Sequence, residues 1–162
     1  MTTKEIADRL VALCRAGKNI EAVDTLLSEG VVSVEARGDE TMPAQTNGRP
    51  GVRGKNQWWV ANHKIHSADV KGPFPHGDRF TVFYNFVVTP LMGPMAGKKV
   101  RMEEVALYTV ADGKIVREEF FYDMSGGGEV KDAKPKKKAK KAVARKKAAP
   151  KAKAKPKKKA RR

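Results

Sequence analysis

Apolar residues recur at helical spacing through the first thirty positions. Ile6, Leu10, Leu13 and Cys14 share one face of a helix that Thr2 and Glu5, at capping-box spacing, would start and Gly17 would end. A second helix is predicted from Asn19, with Ile20, Val23, Leu26 and Leu27 on its buried side and Gly30 just past its end. A strand over about 31–37 follows, then a loop rich in Pro, Gly and Asn, and KNQWWVANH (55–63) reads as a short helix. Beyond it the apolar period changes from the helical to the alternating one. Strands are expected at about 65–72, 78–89, 98–110 and 114–123, joined by GPFPHG, PLMGPMAG and a tight ADG turn. In the second of these, Phe80, Val82, Tyr84, Phe86 and Val88 share the face that should pack beneath the helices. Long strands joined by short turns imply an antiparallel meander. The predicted fold is therefore α+β, one curved sheet covered on one side by three helices, with a concavity between the layers.

Charge divides this chain. Eighteen of its 34 Lys and Arg residues lie between Lys131 and Arg162, where Asp132 is the only acid. Residues 1–130 hold 16 basic and 17 acidic side chains, so a nearly neutral body carries a tail of about +17. The expected organisation is a body over 1–125, a hinge over 126–130 that includes Gly126, Gly127 and Gly128, and a tail over 131–162. A body of this size can bury a core without staples, and its one cysteine, Cys14, excludes an internal disulfide and a multi-cysteine metal site. With no signal peptide and no run of eighteen apolar residues, a protein without a membrane span is expected. The expected location is cytoplasmic, nucleoid-associated in a bacterium or nuclear in a eukaryote.

The tail is almost entirely Lys, Ala, Pro and Arg, a composition that cannot bury enough surface to offset the entropy of ordering, so disorder is expected. It resembles the Lys/Ala/Pro tails of linker histones and of some bacterial nucleoid proteins. The cations expected to meet DNA or RNA phosphates are Lys136, Lys137, Lys138, Lys140, Lys141, Arg145, Lys146, Lys147, Lys157, Lys158, Lys159, Arg161 and Arg162. Without an aromatic to stack on a base and with little Arg, this contact would be blind to sequence.

AGKNIEAVDTLLSEGVVSVEA (16–36), GVRGKNQWW (51–59) and VALYTVADGKIVREEFFYD (105–123) carry a likeness. They resemble the second helix and first strand, the Gly-rich start of the third helix and the closing hairpin of the SnoaL-like branch of the nuclear transport factor 2-like superfamily. The likeness covers about residues 4–124 and implies a cone: a curved antiparallel sheet wrapped by three N-terminal helices. The fold hosts isomerases, cyclases, epoxide hydrolases and binding proteins, so chemistry must be read from the site. Against the ketosteroid isomerase branch, Leu10 stands at the oxyanion-hole tyrosine, Val105 at the protonated aspartate and Glu35 at the general base. Against limonene epoxide hydrolase, Phe120 stands at the catalytic aspartate. The resemblance thus implies a pocket for a small, largely apolar molecule, and a homodimer formed through the outer face of the sheet.

Glu35 and Glu118 are the candidate catalytic carboxylates, because a cavity-lining carboxylate is raised toward the range of a useful base. Glu35 has an alternative reading as an ion pair with Arg37 or Arg53. The expected pocket is lined by Leu10, Trp59, His63, Tyr84, Val105, Phe120 and Tyr122. Of the adjacent Glu103 and Glu104, Glu103 is the expected inward one. His63 is a candidate proton shuttle. With His66 it forms a pair lacking a third ligand, so neither a metal nor another cofactor is predicted. The alternative function is a dimeric scaffold without catalysis whose tails bridge DNA.

Overall fold

Helix α1 (Thr3–Arg15) begins at the capping box expected of it: the Thr2 hydroxyl accepts from the Glu5 backbone N–H, and the Thr2 N–H donates to Glu5 Oε2 at 2.8 Å. It buries Ile6, Ala7, Leu10 and Val11. Helix α2 (Asn19–Leu26) buries Ala22, Val23 and Leu26, and strand β1 (Leu27–Val34) follows without a loop, earlier than its apolar pattern suggests. Strand β2 (Gln45–Asn47) lies in what reads as loop, and helix α3 (Arg49–Asn62) starts six residues before the predicted 55–63. Pro50 fits the first turn of a helix, where its missing N–H costs nothing. Gly51 lets that turn approach β2, since a Cβ there would stand 2.9 Å from Thr46 Cγ2. Strands β3 (His63–His76), β4 (Arg79–Pro90), β5 (Val100–Ala111) and β6 (Lys114–Phe121) complete the order, with GPFPHG falling mostly inside β3 rather than joining two strands. The computed structural model describes residues 1–39, 42–123 and 130. The hinge glycines and the tail cations from Lys136 to Arg162 lie outside the described residues.

The expected cone of antiparallel strands is corrected. The sheet is mixed, six-stranded and open, in the order β2-β1-β6-β5-β4-β3, and is neither closed nor strongly curled. The meander β3 to β6 is antiparallel throughout, but β1 runs parallel to β6, pairing Val32 with Arg117 and Val34 with Glu119. The chain that separates them, α3 and four strands, returns β6 in the direction of β1, which the pattern of either strand alone does not reveal. Three-residue β2 and long β3 are left as the two edges. Arg15, at the end of α1, serves the β3 edge by donating to Val70 O at 3.0 Å.

All three helices cover one face, so the two faces of the sheet differ. The inner face holds Phe80, Val82 and Tyr84 of β4, Ala106, Tyr108 and Val110 of β5, Ile115 of β6 and Val31 of β1, packed against Ile6, Leu10, Val11, Val23, Leu26 and Val52. On the outer face Phe83, Val105 and Phe121 stand in register across three strands, Val105 39% and Phe121 54% exposed.

Candidate functional site

Polar side chains interrupt the inner face where β1, β6 and β5 run side by side. Ser33 and Glu118 are paired across the β1–β6 ladder and both are buried. Glu35 continues from β1, its N–H held by Ala44 O at 2.8 Å. Glu104 joins from β5 because it shares parity with Ala106, Tyr108 and Val110. The inward residue of the Glu103–Glu104 pair is therefore Glu104, while Glu103 stays at the surface beside Arg101. Above them Lys55 descends from α3, one turn beyond buried Val52. Its Nζ donates to Ser33 Oγ and to Glu35 Oε1 at 2.6 Å, stands 3.6 Å from Glu118 Oε1 and lies 4.6 Å from the centre of the Phe120 ring. Glu35 thus pairs with Lys55, whereas Arg53 pairs with Asp24.

Three carboxylates around one ammonium cannot all ionise at neutral pH without cost. Burial, and then the charge of Glu35, push the Glu104 carboxyl up from 4.5 to about 7, against the pull of Lys55. Burial also raises Glu118, opposed by the Lys55 charge and a hydrogen bond to Ser33. Its Oε1 is buried without a hydrogen-bond partner. Tyr122, at the open end of this group, is pushed up to about 12 by burial, then by the charge of Glu35 and a hydrogen bond to it. Of these carboxyls, Glu104 is the one that exchanges its proton near pH 7.

A second polar line runs behind Glu118. Tyr108, its register partner on β5, shares a 2.9 Å hydrogen bond with Tyr84, whose hydroxyl lies 3.6 Å from Cys14 Sγ. Burial raises all three, so they stay protonated and can donate. From Tyr84 an aromatic column leads outward: Tyr84 stacks on Phe86 at 5.8 Å, Phe86 meets Trp59 at 5.3 Å and Trp59 stacks on His63 at 4.7 Å. His63 Nδ1 lies 2.8 Å from the backbone carbonyl Trp59 O and donates to it.

Of the residues singled out from sequence, Glu35, Glu118, Phe120 and Tyr122 converge on the inner polar group. Tyr84, Trp59 and His63 form the aromatic column, and Leu10 is buried in the core. Val105 faces the opposite side of the sheet, because its neighbours in the chain, Glu104 and Ala106, are on the face toward the helices. Lys55, Ser33, Glu104 and Tyr108 are additions from the structure. The stripe Val52, Lys55, Trp59 at helical spacing would have marked Lys55, and the β5 alternation read from Tyr108 would have chosen Glu104. An open hollow of about 240 Å³ at the other end of the sheet, between Phe74, His76 and Arg79, touches none of these groups. Among the described residues no three or more His, Cys, Asp or Glu side chains are grouped to hold a metal ion. Nor, among those residues, is any helix long and apolar enough to cross a membrane.

The SnoaL-like domain profile matches residues 1–122. A protein from Mesorhizobium loti, provisionally described as a SnoaL-like polyketide cyclase, is 38% identical, with a TM-score of 0.69 over 75% of this chain and 100% of that one. A Pseudomonas putida protein, provisionally a polyketide cyclase, is 20% identical, covering 77% of this chain and 94% of its own with a TM-score of 0.60. A Catenulispora acidiphila protein with a ketosteroid isomerase-like fold, solved with trimethylamine, is 19% identical, with a TM-score of 0.57 over 77% of this chain and 89% of its own. No protein of curated function matches the chain.

Proposed function

We propose that this chain, which belongs to the SnoaL-like domain family, binds a small, largely apolar molecule against its inner face and moves a proton on it with the carboxylates around Lys55. The observation that carries this reading is Glu104, a carboxyl poised at about 7 beside Glu35 and Lys55. An acid–base group is most effective when its pKa lies near the working pH. Glu104 and Glu118 supply or take the proton, Lys55 and the Tyr84–Tyr108 pair stabilise negative charge developing on the bound molecule, and Phe120 and Trp59 provide apolar walls. The family resemblance to isomerases and cyclases supports this class of reaction, and the substrate is identified by it only as a molecule with an acidic C–H or a carbonyl.

In this reading the tail holds the protein on nucleic acid through Lys136–Lys141, Arg145–Lys147 and Lys157–Arg162, without sequence preference. A second reading is favoured by the outer-face row of Phe83, Val105 and Phe121: two copies pair there, and the chain is a dimeric scaffold whose tails bridge DNA. Native mass spectrometry of the full chain purified from its own source separates the two. The first reading expects a retained small molecule that Glu104→Gln or Phe120→Asp releases. Protein of empty mass, monomeric or dimeric, together with a melting temperature unmoved by candidate carbonyl compounds, would refute it.

A further inference from the structure

Two segments that meet at one end of the body carry no acid. Residues 55–68 (KNQWWVANHKIHSA) and 86–102 (FVVTPLMGPMAGKKVRM) contain five Lys and Arg and two His, with no Asp or Glu. The two segments meet: Leu91 N donates to Asn62 O at 2.9 Å, Pro90 pairs with His63, and Val88 with Ile65. The β4–β5 connection is folded on itself, Gly97 N donating to Pro90 O at 2.9 Å and Ala96 N to Gly93 O at 3.1 Å. It therefore holds its apolar side chains out at a fixed place. Leu91 is 60%, Met92 53%, Ile65 43% and Trp58 39% exposed, and the Trp58 ring meets the edge of His63 at 6.4 Å. Lys55 is turned inward, but Lys64 and Lys98 stand exposed beside the apolar set, with Lys99 next in the chain. Val130, the residue before the basic segment begins, hydrogen-bonds through its N–H to Lys99 O at 2.8 Å.

Solvated leucine and methionine at a turn tip have nothing to gain from a phosphate backbone, which offers them no apolar surface. Tryptophan beside such a tip, with lysines around it and no acid within residues 55–68 or 86–102, matches instead the boundary of a lipid bilayer, where indole rings sit at headgroup level and cations face anionic phosphates. We propose that this end of the body docks on an anionic phospholipid bilayer, with Leu91 and Met92 entering the headgroup–acyl boundary, Trp58 beside them and Lys64 and Lys98 against lipid phosphates. The inference is independent of the inner carboxylates. Each apolar side chain buried is worth roughly tenfold to a hundredfold in affinity, and each lysine about fivefold.

The test uses the full chain and vesicles of phosphatidylglycerol and phosphatidylcholine with brominated acyl chains. Salt at 0.5 M shortens the screening length to about 4 Å and suppresses adhesion by the polycation alone. Tryptophan fluorescence is expected to be quenched by these vesicles, the quenching to vanish in Trp58→Phe, and vesicle affinity to fall at least tenfold in Leu91→Asp/Met92→Asp. Unquenched tryptophan in the wild-type chain overturns the proposal whether or not the double variant folds, as does equal vesicle affinity in a folded double variant. A double variant that loses affinity for duplex DNA, while vesicles leave wild-type tryptophan unquenched, assigns the surface to nucleic acid and overturns it equally.

Discussion

A carboxyl held at about 7 on the inner face stores a cost that grows with pH. Glu104 is raised in the folded chain from 4.5, so between those two values the native state holds a proton that the unfolded chain has released. Stability attributable to this residue is thus full below about 4.5 and declines as pH rises toward about 7, the reverse of an ordinary paired carboxylate. Replacing Glu104 by Gln removes the ionisation and keeps the shape. Urea unfolding of Glu104→Gln is expected to give a gain of at most about 3 kcal/mol at pH 8, fading toward zero near pH 4. An equal effect at both pH values would show that the carboxyl is not raised. Lys55 limits the cost, and its role was hidden from the sequence for a physical reason. A lysine on a helix is normally solvated, and only the descent of α3 onto Ser33, Glu35 and Glu118 turns this one inward.

At the scale of elements, local signals decided what could be read in advance. The capping box at Thr2 and Glu5 is a local device, and it forms as the spacing implies. Thr2→Ala removes its accepting oxygen and leaves the Glu5 N–H unserved, with an expected loss of about 1 kcal/mol in thermal or urea unfolding. A loss under a few tenths would mean that water replaces the cap. The alternating strands were equally legible, because Phe80, Val82 and Tyr84 on β4 can bury together on one face alone. Long-range features were not. The parallel pairing of β1 with β6 depends on where the intervening chain returns, and β2, three residues long, has too few positions to show a period. On β5 the structure turns Glu104 and Ala106 inward, one residue off from Glu103, expected inward by register, and from Val105, expected in the pocket by the family resemblance. The helix start at Arg49 escaped because Pro and Gly, ordinarily breakers, here serve the first turn and the contact with Thr46.

Across the whole molecule, charge and chemistry are separated along the chain. The body balances 16 cations against 17 acids and folds its most perturbed carboxyls inside, whereas residues 131–162 hold 18 cations with one acid. Attraction between such a segment and a polyanion comes from release of condensed counterions, so it depends on salt and on the number of phosphates met. If the tail engages duplex DNA through about six to ten phosphates, affinity of the full chain should fall roughly 10³- to 10⁵-fold between 50 and 200 mM salt. Fluorescence anisotropy on duplexes of unrelated sequence measures this directly, and the curves should superimpose, since no aromatic follows Tyr122 in the chain and only Arg145, Arg161 and Arg162 could read a guanine edge. On that reading Leu91→Asp/Met92→Asp should leave the DNA curves unchanged, because the proposed contacts come from residues 131–162. A shallow slope, or a strong preference among duplexes, would place the contact on the body and remove the tail's role as a tether.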